Sequence, residues 1–167
     1  MPFGIYDASV PVLIAGLTNL SKILAKGAAH AEAKGFKPEA LLQARLAPDM
    51  HPLPNQIQIA SDAAKGAAAR LAGVDIPSFP DTETTFPELQ ARIEKTIAFL
   101  KGLDPAAFTG AEDREIVLKV GANEWKMPGR QFLTAFALPN FYFHLTTAYA
   151  LLRHNGVEIG KRDFLGG

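Results

Sequence analysis

The chain has no cysteine. Disulfides, thiolate metal sites and a cysteine nucleophile are therefore excluded, and the absence fits a reducing compartment, so a cytoplasmic location is expected. It also has no excess of either charge, with 17 Lys plus Arg against 17 Asp plus Glu. Binding to nucleic acid needs a basic surplus, so nucleic acid is not an expected partner. There is no Walker-type glycine loop, no dinucleotide fingerprint, no HExxH and no GxSxG, which removes the commonest sequence signs of phosphate, nucleotide, zinc-protease and esterase chemistry. Ser9, Ser21, Ser61 and Ser78 have no histidine close in sequence. The opening MPFGIYDASV lacks a basic region and carries Asp7, which argues against a signal peptide. No repeat or linker divides the chain, and 167 residues suit one domain over residues 1–167.

Apolar residues are plentiful, at 48% of the chain. The run 131–152 is free of formal charge and long enough to span a bilayer. Gln131, Asn140, His144 and three threonines interrupt it, Pro139 lies inside it, and no second such run is evident. It is read as a central helix buried on several sides, and no membrane is expected.

The local pattern is helical almost throughout. Tyr6, Val10, Leu13, Leu17, Leu20 and Leu24 recur at spacings of three and four, predicting a helix over residues 5–34 that Gly35 stops. Pro11 sits either in the first turn of a helix beginning near Ser9 or at a kink in one that starts earlier. A short turn is expected over 38–46. APDMHPLPNQ, with three prolines in ten residues, reads as extended. A second helix follows over 55–72, with a face of alanines and Gly66 small enough for close approach by a neighbour, and Gly73 stops it. VDIPSFPDTETT is a loop. Thr85 and Glu88 form a capping-box pattern for a third helix whose stripe is Phe86, Leu89, Ile93, Ile97 and Leu100. Residues 115–120 and 124–127, around Gly121-Ala122-Asn123, read as a hairpin. A fourth helix covers 129–155, and the tail VEIGKRDFLGG has no period. These elements predict an all-α four-helix bundle with a small β-hairpin before the last helix.

The polar residues on the apolar faces are the candidates for chemistry. Asn140 and His144 are four apart and project from one face of the last helix. His144 reads either as a ligand or base deep in the bundle, or as a buried neutral imidazole satisfied by Asn140 or a backbone carbonyl. Asn140 either repairs the hydrogen-bond break left by Pro139 or lines a pocket. Thr147 shares the inner stripe with His144. Asp49 and His51 are rim candidates in the Pro-rich loop, with an exposed pair as the alternative. Gln56 points either into the bundle mouth or to solvent. His30 reads as a surface residue and His154 as a cap on the helix C-terminus. Arg153 is expected to pair with Asp163 or Glu158, and Lys161-Arg162-Asp163 to be solvated. The last helix carries a second stripe, Phe141, Leu145, Ala148 and Leu152, beside that of Leu133, Phe136, His144, Thr147 and Leu151. Either neighbouring helices or a second subunit must cover it. A homodimer using this stripe or the exposed side of the first helix is the expected assembly.

The order of elements and the ending HLTTAYALLRHNGV resemble the DinB/YfiT-like superfamily of small four-helix bundles. Leu152-Arg153 and Gly156-Val157 match its closing pattern, and His144 falls where the second of two helix-four histidines belongs. PDMHPLPNQ, TFPELQARI and LLRHNGVEIGKRDFLG look like an uncharacterised branch, a domain of unknown function. The resemblance implies a divalent metal, commonly nickel or zinc, held by one histidine on helix two and two on helix four, and in some relatives a thiol-dependent transferase or isomerase activity. Here Asn140 stands at the first helix-four position, and Asn55, Gln56 and Gln58 at the start of helix two. A metal, if held, would fall to His144 with His51 or Asn140. The expectation is a bundle with a polar pocket for a small molecule and no resident cofactor. The alternatives are a divalent-metal-dependent, thiol-transferase-like enzyme and a structural or stress-linked interaction protein.

Overall fold

The computed structural model describes residues 3–167, with the backbone alone for Val120. Met1 and Pro2, which open the segment weighed as a signal peptide, lie outside the described residues. Four long helices make the bundle: α1 (Ile5–Lys34), α3 (Leu53–Ala72), α4 (Phe86–Lys101) and α6 (Leu138–His154). Between them lie the short α2 (Glu39–Leu42), the hairpin β1 (Glu115–Val120) and β2 (Asn123–Pro128), and the single turn α5 (Gly129–Gln131). A last helix, α7 (Lys161–Leu165), closes the chain. In the bundle α1 packs on α4 and α6, and α3 packs on the other sides of the same two helices. The hairpin pairs antiparallel, with Val120 opposite Asn123 across the turn.

The helix stripes do what their spacing predicts. Val10, Leu13, Leu17, Leu20 and Leu24 are fully buried, as are Leu89, Ile93 and Leu100 of α4. The Thr85 hydroxyl accepts from the Glu88 backbone N–H while the Glu88 carboxylate accepts from that of Thr85, closing the capping box. Gly35 and Gly73 end α1 and α3 in the left-handed conformation that side chains disfavour. Pro11 proves to be inside a helix that starts at Ile5, not in a first turn near Ser9.

Three expectations are corrected. First, a second run does pass the membrane test: among the described residues α1 is long and apolar enough to cross a membrane by length and composition. Its apolar stripe is occupied by α4 and α6, which accounts for its hydropathy as core packing. Second, the two stripes of α6 are both covered within one chain. Phe141, Leu145, Ala148 and Leu152 are buried as completely as Leu133 and Leu151, so they supply no outer dimer face. The exposed aromatic residues of α6 are instead Tyr142 and Phe143. Third, Lys161 and Arg162 of the tail are exposed as expected, but Asp163 is not simply solvated. Asp163 accepts from the Gly160 N–H at 2.8 Å, capping α7, and pairs with Lys26 of α1 at 2.5 Å. Arg153 pairs with neither Asp163 nor Glu158 but donates to the Val157 carbonyl at 3.4 Å.

The last helix has one irregularity. Pro139 has no N–H to offer the Ala135 carbonyl, and the chain just before it, Phe132–Ala137, is wound as a wider π-type turn. The wider turn accommodates the break. Among the described residues Asn140 makes no side-chain hydrogen bond that would repair it.

Candidate functional site

Packing of α3 against α6 brings Gln56 to His144. Their side chains are 88 positions apart in sequence, and His144 Nδ1 lies 2.7 Å from Gln56 Oε1. The Gln56 Nε2 donates to the His51 carbonyl at 3.1 Å. That bond orients the amide, so its oxygen faces the imidazole and Nδ1 carries the proton. Nε2 of His144 is left with a free lone pair. Gln56 is only 2% exposed, so the solvated alternative for it is wrong. Of the two partners foreseen for His144, Asn140 and a backbone carbonyl, it uses neither.

The other candidates are scattered. Asn140 lines a cleft of about 240 Å³ with Asp62, Arg70, Lys119 and Phe136, farther along the α3–α6 seam. Thr147 donates to the Phe143 carbonyl at 2.7 Å and borders a shallow apolar groove with Leu46, Tyr142 and Phe143. His51 and Asp49 are exposed. Asn140 and His144 share a helix face, but they do not share a pocket.

Burial pushes the His144 imidazole below its ordinary range, and the nearby His51 adds to the shift. The folded state therefore takes this proton less readily than the unfolded chain, and stability falls as pH drops through the ordinary imidazole value of about 6.5. Replacing His144 with Asn, which can still donate to Gln56, should flatten the stability curve between about pH 7 and pH 5 in urea titrations. The loss at lower pH should remain. There the Asp163 carboxylate, held below its usual range chiefly by Lys26, is protonated as pH falls through its folded value. An unchanged slope in the His144 variant would assign the neutral-range effect elsewhere.

A second polar site escaped sequence reading. Arg92 of α4 has a side chain only 1% exposed, yet it holds three carboxylates. Its Nη2 lies 2.8 Å from Asp62 and 2.9 Å from Asp81, and its Nη1 donates to Glu83 at 3.1 Å and to the Pro80 carbonyl at 3.1 Å. Buried Lys65 also pairs with Asp62, at 2.9 Å. Gln58, nearly buried, donates to Glu83 at 3.0 Å and accepts from Asn55 at 3.0 Å. Burial works to raise the Glu83 carboxyl, but hydrogen bonds from Gln58, its own backbone and Arg92 outweigh it, leaving the group below its usual range and ionised. The clue in the sequence was a charged residue inside an apolar stripe. Arg92 falls between Leu89 and Ile93, where a solvated arginine does not belong.

Beside this network lies a cleft of about 540 Å³ between α2, the start of α3 and residues 81–84. Glu39, Asp81 and Glu83 supply carboxylates to it, Arg45 a guanidinium, and Gln43, Asn55, Gln58 and Thr84 neutral hydrogen-bonding groups. Its volume is within the range of about 300–1,000 Å³ usual for small-molecule sites.

The donors around His144 do not fit a three-histidine metal centre. The third position is taken by the Gln56 amide, already bonded to the ring. Among the described residues no group of three or more His, Asp or Glu side chains could hold a metal ion.

A family model described as a domain of unknown function (DUF1993) matches residues 5–165. A solved structure of a DinB family member protein from Shewanella denitrificans is similar at 42% identity, with a TM-score of 0.92 over 98% of this chain and 92% of that one. No curated protein matches.

Proposed function

Given that the chain belongs to the DUF1993 family and folds like a DinB family member, we propose that it binds a small molecule bearing a protonated amine. The ligand is taken in the cleft between α2, the start of α3 and residues 81–84. The observation that carries this reading is Glu83. Its carboxylate borders the cleft, is ionised, and is held in place by Gln58 and Arg92 before any ligand arrives. A fixed acceptor of this kind loses little freedom on binding, which favours affinity. Asp81 and Glu39 extend the negative wall, while Arg45 offers a place for an anionic or polar end.

The test is calorimetry and thermal unfolding with a panel of small amines and amino acids, each paired with its N-acetylated form. At a hundredfold excess over the dissociation constant, a true ligand should stabilise the fold by about 2.7 kcal/mol. The acetylated partner should not, and Glu83→Gln should abolish the effect. If no amine moves the midpoint, or acetylation makes no difference, the reading fails. The metal-dependent alternative draws support from the free Nε2 of His144 but has too few donors around it.

A further inference from the structure

We propose that residues 74–84 form a detachable strap, clasped to the bundle by Arg92, whose release opens the clefts on both sides of it. This 11-residue segment joins Gly73 to Thr85 and has no regular structure. Apolar burial holds it only weakly, since Val74 is 43% and Ile76 is 40% exposed and none of its residues is fully buried. Its attachments are polar. Arg92 takes the Pro80 carbonyl and the Asp81 and Glu83 carboxylates, and Gln58 takes Glu83 a second time. Phe79 lies against cations of the bundle, 4.1 Å from the Lys95 ammonium, 5.0 Å from that of Lys65 and 5.9 Å from the Arg92 guanidinium. One buried guanidinium thus gathers three successive parts of the strap.

Such a clasp is less secure than a core contact. Its strength depends on two strap carboxylates, and Asp81 is 56% exposed, where water and ions weaken the pairing. The Arg92 Nε is buried with no hydrogen-bond partner, so part of the cost of burying the group is uncompensated. The strap also separates two spaces. Asp81, Glu83 and Thr84 line the cleft of about 540 Å³, and Phe79, Pro80, Thr82 and Glu83 line another of about 280 Å³. Glu83 belongs to both walls. Glu83 faces the cleft in its fixed position only while Arg92 clasps the strap. Release of the strap therefore removes the acceptor, a bound amine favours the clasped state, and occupancy of the cleft and attachment of the strap are linked. That linkage rests on the amine-binding reading; the detachability of the strap does not.

The absence of native cysteine allows the strap to be measured directly. Spin labels at Ser78→Cys on the strap and Lys101→Cys on α4 should give one narrow distance by pulsed electron resonance. Adding Asp81→Asn with Glu83→Gln should produce a second, longer-distance population, and Arg92→Met should do the same. A control pair, Lys22→Cys with Lys101→Cys, reports α1 against α4 and should stay narrow throughout. If Arg92→Met unfolds the chain, the strap-side substitutions still decide. An unchanged strap distance in them overturns the proposal, as does equal broadening of the control pair, which would make Arg92 a brace of the whole bundle. Amine binding with a fixed strap would refute only the strap. A mobile strap without amine binding would refute only the ligand reading.

Discussion

Phe141→Ala should destabilise the bundle by about 3–5 kcal/mol, the range for removing a buried aromatic ring. Phe141 is fully buried, and its ring packs against α1 at Gly16. A Cβ built on Gly16 would stand 2.7 Å from one ring carbon and 2.9 Å from the next. Gly16 is therefore the socket for Phe141, and Gly16→Ala alone should cost about 1–3 kcal/mol through overpacking. The two changes should not add. With the ring gone, the extra methyl enters the space it vacated, and Gly16→Ala should become neutral or stabilising. Urea unfolding of the four proteins in the cycle measures this. Additivity within about 0.5 kcal/mol would show that the two residues do not meet. The same geometry bears on assembly. Phe141→Glu or Leu145→Glu should unfold the chain rather than divide a dimer. Any search for a subunit contact on α6 belongs at Tyr142 and Phe143, which are exposed.

Gln56→His should convert the His144 site into one that binds zinc. The Gln56 amide already lies within hydrogen-bond distance of the His144 ring, so a second imidazole there faces the first across the α3–α6 seam. His51 is near enough for its charge to disfavour protonation of His144, and it can swing in from the loop as a third nitrogen donor. Zinc accepts such imidazole sets readily. Affinity for zinc should rise at least tenfold over the wild type, the low end of what even an outer-shell partner contributes. Competition with a chromogenic chelator reads this directly. Asn140→His is the weaker design from the structure, because Asn140 faces a cleft with Asp62, Arg70 and Lys119 whose lining does not include His144. Equal zinc affinity in the wild type and Gln56→His would mean that the amide is not at the ligand position. Wild-type protein that retains one equivalent of metal through dialysis would require donors other than those gathered around His144.

The four long helices, their stops and the hairpin were legible because each rests on neighbours in sequence. A stripe at three- and four-residue spacing, the Thr85–Glu88 box, and a glycine after the last apolar turn act within a few residues of one another. The family resemblance in 140–157 depended on the same short-range order. The candidate residues were partly legible for the same reason. A polar side chain on an apolar stripe marks itself, and His144 and Asn140 were found that way.

What a marked residue does was decided elsewhere. His144 meets Gln56 across 88 positions, and Lys26 meets Asp163 across 137. No spacing rule reaches that far, because the partner depends on which helices pack together and how far each slides along its neighbour. The sliding of α3 along α6 sets Gln56, not Asn140, against the imidazole. The packing of α3 against α4 turns Arg92 and Lys65 from surface charges into buried ones beside the half-exposed Asp62, and carries residues 74–84 down onto them. From its sequence alone the chain is a helical bundle with polar residues on its inner faces. The cleft, the clasp and the pairing at His144 arise only when those faces meet, because burial forces each polar group to take whichever partner the packing brings within reach.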